Sequence, residues 1–292
     1  MGAIEGQYMK PLKILSLGAG IQSSTLLLMS LKGELHKLDH AICADTGWEP
    51  QEVYDHLEWL KPLAKAGGVP LTVVNNGNIK EISVTGFVDG KEGLGQRYST
   101  MPLHILNPDG TEGLIRRQCT SEFKIVPIER FIKKDILGLS KNAHWPKEVV
   151  VDHWFGISSD EMVRIRTPRE LWKRNVYPLC NLPDDYLPAM YSRQSCVGWL
   201  KKHYPDQPMP RSACIGCPYH DNRTWRDLRD RRPDEWSEAV AVDKRIRHGK
   251  DMDGQAFLHR SLKPLDEANL GDEPNQGMFE GFREECLGYC GN

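Results

Sequence analysis

The cysteines are the side chains of this sequence that most directly suggest chemistry. Eight are present, and Cys214 and Cys217 are separated by only two residues. This spacing places two thiols on one tight turn, which suits the capture of zinc or of a cluster iron. A redox dithiol or two inert cysteines are the alternatives, although Pro210 and Pro218 do not form a thioredoxin-like strand-to-helix setting. On ligand chemistry alone we favour a cluster iron.

A glycine-containing turn at Gly18 and Gly20 is the second candidate site. A short apolar run precedes this turn, and a segment with helical composition follows it. Such a turn presents backbone N–H groups and the positive end of a helix to a phosphate, and the hydroxyls of Ser23 and Ser24 suit the same task. Because glycines in such turns also serve purely steric needs, the motif alone leaves both roles open.

Short strands that alternate with helices must position these candidates. Apolar runs at 41–44, 70–74 and 148–156 predict further strands, and Pro50 marks the start of a helix over 52–63. This alternation is the sequence pattern of a parallel sheet that is covered by helices on both faces. We therefore predict a doubly wound, mostly parallel α/β fold.

The composition changes near residue 180, where charged helical segments rich in proline, tryptophan and cysteine begin. We therefore predict an α/β domain over residues 9–180, followed by a helical, Cys-rich region with a mobile tail over 181–292. Within the first domain, residues 86–117 are rich in glycine, proline and polar groups. A stretch of that length predicts a lid or a substrate loop.

The charge balance limits the classes of partner. Lys and Arg number 38 against 40 Asp and Glu, for a net charge of −2, so no whole-molecule field attracts nucleic acid or anionic membranes. No apolar run approaches the roughly 20 residues that span a bilayer, and no signal peptide is evident, so we expect a cytoplasmic protein without a membrane partner. Cytoplasmic thiols stay reduced, which favours metal or redox use over disulfides. Arginines in residues 222–232 interleave with acidic residues, so nucleic-acid contact there is the less favoured alternative.

Five separated segments resemble the phosphoadenosine-phosphosulfate (PAPS) reductase family of PP-loop enzymes. They are residues 20–24; 45–47 with Pro50, Glu52 and Tyr54; 119–124 with Pro127; 154–156 with Asp160, Glu161 and Arg164; and 177–179. The resemblance implies the PP-loop fold, also called adenine nucleotide alpha-hydrolase-like, and an adenine nucleotide as ligand. The nucleotide-binding residues that it implies are Gly18, Gly20, Gln22, Ser23, Ser24, Asp45, Thr46, Gly47, Gly156 and Arg164. It further implies that Lys124 faces the nucleotide as a catalytic residue.

Two positions depart from the family pattern. Gln22 stands where the ATP-splitting members of the superfamily carry an Asp that helps to hold Mg²⁺, and in this respect the chain resembles the reductases. Ser158 stands where the sulfonucleotide-binding arginine of the family is expected. The anion contact is therefore expected to move to another arginine, and the candidates are Arg164, Arg166, Arg116 and Arg117.

The cluster-bearing branch of the family takes thiolates from positions that match Cys119, Cys214 and Cys217. Its remaining ligand comes from a paired Cys-Cys, whereas a single cysteine stands at that position here. We predict Cys196 as the fourth ligand of a [4Fe–4S] cluster, with Cys180 as the rival candidate. A buried core role is the alternative for Cys196, because free cysteines are commonly buried.

Residues 285–290 resemble the terminal Glu-Cys-Gly segment of the reductases, whose cysteine attacks the sulfonucleotide. The resemblance implies that Cys286 is the catalytic nucleophile. Such a thiolate takes sulfur or sulfite and passes a disulfide or persulfide to a partner thiol. A poorly ordered tail or a second metal clip with Cys290 is the alternative.

Taken with the resemblance, these features predict a PAPS reductase-like oxidoreductase that cleaves a sulfonucleotide reductively, with a thiol or persulfide donor protein as partner. The first alternative is an ATP-dependent iron–sulfur sulfurtransferase or nucleic-acid-modifying enzyme on the same scaffold, using ATP and Mg²⁺. The second is a non-enzymatic, cluster-containing subunit that binds a nucleotide.

Overall fold

The structure is a computed structural model that describes residues 10–85, 100–183, 186–248 and 252–271. Its strands in chain order are β1 (Leu12–Ser16), β2 (His40–Asp45), β3 (Leu71–Asn75), β4 (His104–Leu106), β5 (Glu112–Leu114), β6 (Val151–Phe155), β7 (Lys173–Val176) and β8 (Gln255–Phe257). Its α-helices are α1 (Ile21–Lys32), α2 (Gln51–Ala66), α3 (Ile79–Thr85), α4 (Val126–Phe131), α5 (Arg193–His203), α6 (Asn222–Arg231) and α7 (Pro233–Arg245). No helix within these ranges is long and apolar enough to cross a membrane.

Five parallel strands form the central sheet in the order β3-β2-β1-β6-β7. The registers include Leu15 opposite Ala41 of β2 and Leu15 opposite Trp154 of β6. The chain moves outward from β1 through β2 to β3, and later returns on the other side of β1 as β6. These findings confirm the predicted mostly parallel α/β sheet. In open sheets of this kind, ligands bind beyond the carboxyl ends of the strands near the point where the strand order reverses.

Helix α1 lies in the largest hydrophobic cluster of the structure, and its residues 21–30 are all buried. Helix α5 packs against α1 and adds Cys196, Trp199 and Leu200 to the same cluster. The region after residue 180 therefore contributes directly to the core around α1. This region contains α5, α6, α7 and the strand β8.

A second, antiparallel sheet has the strand order β5-β4-β8. Ile105 of β4 pairs with Gly113 of β5 on one side and with Ala256 of β8 on the other. This sheet adjoins a second hydrophobic cluster that includes Trp48, Phe123, Cys214 and Trp225. The predicted lid over 86–117 thus contains β4 and β5 in its second half, whereas residues 86–99 lie outside the described residues.

The segment after Cys119 is helical, although its hydrogen bonding is mixed. Stretches of π-helix, Ser121–Ile125 and Ile132–Ile136, flank α4 on both sides. After β6, the chain forms a 3-10 helix, Ser159–Arg164. Pro50 precedes the first residue of α2, which agrees with the predicted helix start.

Candidate functional site

The glycine turn lies directly after β1, as predicted. Ala19 adopts a left-handed conformation with φ of 55°, and Gly20 is extended at the start of α1, where no side chain caps the helix. The Ser23 hydroxyl accepts a hydrogen bond from the Gly18 N–H at 3.2 Å and donates to the Gly20 carbonyl at 3.4 Å. Ser23 therefore stabilises the turn itself, and the N-terminus of α1 has the orientation that favours an anion.

Two other polar residues of α1 point into the protein. The Ser24 hydroxyl lies 2.9 Å from Nε2 of His56 on α2. The Gln22 amide donates to Glu161 at 3.1 Å and lies 3.4 Å from the Ser158 hydroxyl, and Arg164 forms an ion pair with the same buried Glu161 at 2.7 Å. Gln22, Ser24 and Arg164 therefore connect α1 to its neighbours.

Gly156 joins this network at the end of β6. A Cβ atom at this glycine would lie 2.7 Å from the Ser23 nitrogen and 2.9 Å from the Ser23 α-carbon. The sixth strand and the first turn of α1 consequently touch through backbone atoms. Gly156, one of the predicted site residues, therefore packs against the start of α1 next to the glycine turn.

Asp45 and Gly47 shape the carboxyl end of β2. One oxygen of the Asp45 carboxylate accepts hydrogen bonds from the Gly47 N–H at 2.7 Å and from the Tyr54 hydroxyl at 2.9 Å. Burial and the neighbouring Asp45 charge raise the pKa of Tyr54, so the phenol stays a donor. The Thr46 hydroxyl, also predicted as nucleotide-binding, donates to the Glu49 carboxylate at 2.9 Å.

A cleft lies beyond the carboxyl ends of β1 and β2, and the space of about 420 Å³ within it is partly open solvent. Gly18, Asp45 and Lys124, which come from three separated segments, all line it. The structure therefore brings three of the predicted site residues to one cavity.

The charged side chains among the described lining residues are those of Lys124, Asp45 and Glu49. Lys124 is only 5 % exposed and Glu49 only 7 %, so these charges lie in a largely desolvated setting. Cys43 also lines the cleft, and burial, with the nearby Glu49 charge, raises the pKa of its thiol to about 12. Cys43 is therefore a thiol rather than a thiolate at neutral pH, and a buried thiol of this kind is a weak nucleophile.

A buried serine and histidine meet at the floor of the cleft. The Ser16 hydroxyl, at the end of β1, lies 2.8 Å from Nε2 of His153 on β6, and Ser16 lines the cleft. Burial, together with the charge of Lys173, lowers the pKa of His153 to about 3. The imidazole is therefore neutral at physiological pH and contacts the hydroxyl of a residue that lines the cleft.

The Cys-x-x-Cys turn lies against the loop that joins β2 to α2. The Cys214 sulfur is 3.2 Å from the Thr46 hydroxyl and 3.6 Å from the Glu49 carboxylate. The Cys217 N–H donates to the Cys214 carbonyl at 3.1 Å, which closes the tight turn that the spacing predicted. The Cys214 thiol therefore contacts Glu49, a residue that lines the cleft.

The other predicted cluster ligands are distributed unevenly. Cys119 packs against the second hydrophobic cluster, which contains Cys214, whereas Cys196 is fully buried in the first cluster with α1. The rival Cys180 donates to the Ile157 carbonyl at 3.2 Å in a third location. In the part of the chain that the structure describes, no three His, Cys, Asp or Glu side chains are grouped to hold a metal ion. The [4Fe–4S] cluster stays a prediction, and no step proposed below passes through it.

Three of the four arginines offered as anion contacts, Arg164, Arg166 and Arg117, are engaged with protein groups. Arg166 donates to the carbonyls of Val163 and Ile165, and Arg117 stacks over the Tyr219 ring at 5.3 Å. The arginines of α6 behave similarly, since most form ion pairs or backbone hydrogen bonds. This arrangement agrees with the interpretation of residues 222–232 as an ion-paired face.

Sequence reasoning missed three residues that line the cleft: Ser16, Glu49 and Ser212. Glu49 had a usable signal, because it lies inside the 45–54 segment that resembles the PAPS reductases. Ser212 had none, since only the tertiary structure brings it to the end of β1. The predicted nucleophile Cys286 lies outside the described residues.

Comparison of the chain with protein-family models and with curated protein sequences finds no match. The assignment of a function therefore depends on the cleft and on the residues around it.

Proposed function

We propose that the chain binds an adenine nucleotide in the cleft beyond β1 and β2 and uses it in sulfur chemistry, by reductive cleavage of a sulfonucleotide. The observation that carries the proposal is the meeting of Gly18, Asp45 and Lys124 at this cleft. Asp45 and Lys124 belong to two different segments that resemble the PAPS reductases, and Gly18 lies next to a third. A ligand that all three segments bind explains their meeting at one cavity better than chance does.

The side chains of the cleft suit parts of such a ligand. The ammonium of Lys124 is the cation for a phosphate or sulfate group, and the N-terminus of α1 adds the positive end of a helix nearby. One carboxylate oxygen of Asp45 accepts hydrogen bonds from Gly47 and Tyr54, and these bonds orient the carboxylate. A ribose hydroxyl is a suitable donor to this carboxylate.

The proposed reaction uses two thiols. The Cys286 thiolate attacks the sulfur of the sulfonucleotide, the S–O bond to the nucleotide breaks, and a cysteine S-sulfonate forms. A thiol of the donor protein then attacks the cysteine sulfur, which releases sulfite and leaves a disulfide. Two thiols are thereby oxidised and one sulfonate is reduced to sulfite.

One observation favours a second candidate, the ATP-dependent sulfurtransferase. Among the described residues that line the cleft, Asp45 and Glu49 supply two carboxylates and Lys124 supplies one cation. Carboxylate oxygens are the protein ligands that Mg²⁺ prefers, so the cleft suits a nucleotide that arrives with Mg²⁺. In that case the products are AMP and pyrophosphate, and Cys286 is dispensable.

Nucleotide binding is tested by calorimetry with ATP and with a sulfonucleotide, using Lys124→Ala and Lys134→Ala as a matched pair. Lys134 is exposed on the neighbouring π-helical turn. We expect Lys124→Ala to weaken binding about tenfold or more, because a buried charge-assisted contact is lost, and Lys134→Ala to bind as the wild type does. Equal affinities of the two variants would remove Lys124 from the site.

The reaction is tested by measuring sulfite release from the sulfonucleotide with a thiol donor, and pyrophosphate release from ATP. Sulfite release that is lost in Cys286→Ala and kept in Cys290→Ala supports the first candidate. Pyrophosphate release without sulfite supports the second. Nucleotide binding with neither product points to the non-enzymatic subunit.

A further inference from the structure

The Cys-x-x-Cys turn is joined to residues 46–49 by several contacts of different kinds. The Ile215 N–H donates to the Trp48 carbonyl at 2.9 Å. The Cys214 sulfur lies 3.2 Å from the Thr46 hydroxyl and 3.6 Å from the Glu49 carboxylate. The turn is therefore bonded both to the backbone and to the side chains of this loop.

Gly216 brings the turn and the loop closer than any other residue type would permit. A Cβ atom at Gly216 would overlap three carbons of the Trp48 ring, the farthest of them at 2.8 Å. Real Cβ atoms do not approach a rigid ring so closely, so a substitution must separate the turn from Trp48. Gly216, which lies between the two cysteines, therefore allows the cysteine turn to pack against Trp48.

The same loop forms part of the cleft. Glu49 lines the cleft, and Asp45, which precedes the loop, lines it as well. Ser212, two residues before Cys214, lines the cleft from the side of the cysteine turn. The Thr46 hydroxyl connects the two sides, because it donates to Glu49 at 2.9 Å and also touches the Cys214 sulfur.

We propose that the Cys-x-x-Cys turn is a positioning element of the nucleotide site, in which Cys214 and Gly216 hold the 46–49 loop in its binding geometry. The inference rests on the proposed nucleotide binding and extends it to residues outside the cleft. Because the turn and the cleft share this loop, a substitution that displaces the turn lowers the nucleotide affinity.

The test compares Gly216→Ala with Gly198→Ala, the same chemical change on α5, where a new Cβ meets no atom within 4 Å. Affinities for ATP and for the sulfonucleotide are measured by calorimetry, and thermal unfolding is recorded for each variant. We expect Gly216→Ala to lose about tenfold or more in nucleotide affinity while Gly198→Ala keeps the wild-type value. A purely structural role of Gly216 would lower the unfolding temperature and leave the affinity of the folded protein unchanged, which overturns the proposal.

A second variant keeps the test decisive if Gly216→Ala fails to fold. Trp48→Leu removes the ring that Gly216 contacts and leaves the cleft-lining side chains unchanged. We expect Trp48→Leu to bind nucleotide about tenfold more weakly than the wild type does. Wild-type affinity of the folded Trp48→Leu protein overturns the coupling. If the wild type itself binds neither nucleotide, the proposed function fails first, so the two failures are distinguishable.

Discussion

Gly156 shows how one missing side chain determines a local geometry. Its α-carbon faces the first turn of α1, and a methyl group there would lie 2.7 Å from the Ser23 nitrogen. Backbone atoms inside a packed helix turn have little freedom to move away. The contact therefore fixes the distance between β6 and the glycine turn after β1.

We predict that Gly156→Ala destabilises the protein by about 1–3 kcal/mol through overpacking. Because the displaced atoms belong to the helix start beside the cleft, nucleotide binding should weaken as well. Urea unfolding measures the first effect and calorimetry the second. Gly113→Ala is the control, since its Cβ would meet Ile105 at an ordinary 3.6 Å. Equal stability of the two variants would contradict the packing argument.

At the scale of elements, α1 and α2 are joined by a buried polar contact. Nε2 of His56 lies 2.9 Å from the Ser24 hydroxyl, and the imidazole stacks on the Trp59 ring at 5.3 Å. Burial lowers the pKa of His56 to about 4, below its ordinary value of 6.5. The folded protein therefore keeps this histidine neutral while the unfolded chain protonates it in mild acid.

The pKa shift predicts a pH dependence of stability. Because the folded pKa is depressed, the contribution of His56 is complete above pH 6.5 and is lost as the pH falls toward 4. Between pH 7.5 and pH 5 the loss is about 2 kcal/mol for this group. Urea unfolding across this range should show a smaller loss in His56→Gln, which keeps a hydrogen-bond acceptor for Ser24. Parallel profiles for the two proteins would contradict the assignment.

The elements of the central sheet were predictable because their signals are local. An apolar run, a glycine turn and a helix follow one another around Gly18, and similar runs mark β2, β3 and β6. The second sheet was not predictable, because β4, β5 and β8 each have only three residues and depend on distant partners.

The candidate site was also predictable only in part, namely where its residues belong to recognisable sequence segments. Gly18, Asp45 and Lys124 were found from sequence segments and do line the cleft. Ser24 was interpreted as a phosphate ligand because it follows the turn closely, yet the helical rotation directs its hydroxyl to His56. Proximity to the turn in the sequence therefore identified the correct end of the helix. Only the tertiary structure shows which side chains line the cleft.

At the scale of the whole molecule, the chain after residue 180 supports the sheet that precedes it. Trp199 and Leu200 of α5 belong to the hydrophobic cluster of α1, and Ala256 of β8 pairs with Ile105 of β4. Removing this part would expose apolar surface on α1 and an edge of the second sheet. Both effects oppose independent folding of the first 180 residues.

We therefore predict that a chain ending at residue 180 shows no cooperative thermal transition. A chain ending at residue 271 is the matched control, because it keeps every strand and helix given above. Circular dichroism during heating, together with limited proteolysis, distinguishes the two. Cooperative unfolding of the shorter chain near the temperature of the control would show that the first part is an autonomous domain.

The pairing of β8 with β4 also has a consequence for biosynthesis. A ribosome releases β4 and β5 long before β8, so one edge of β4 must wait without its partner while the intervening chain is made. An unpaired edge is a template for association between nascent chains, and closing so long a loop is slow. Slow growth at low temperature and ample chaperone capacity should therefore favour soluble protein during expression.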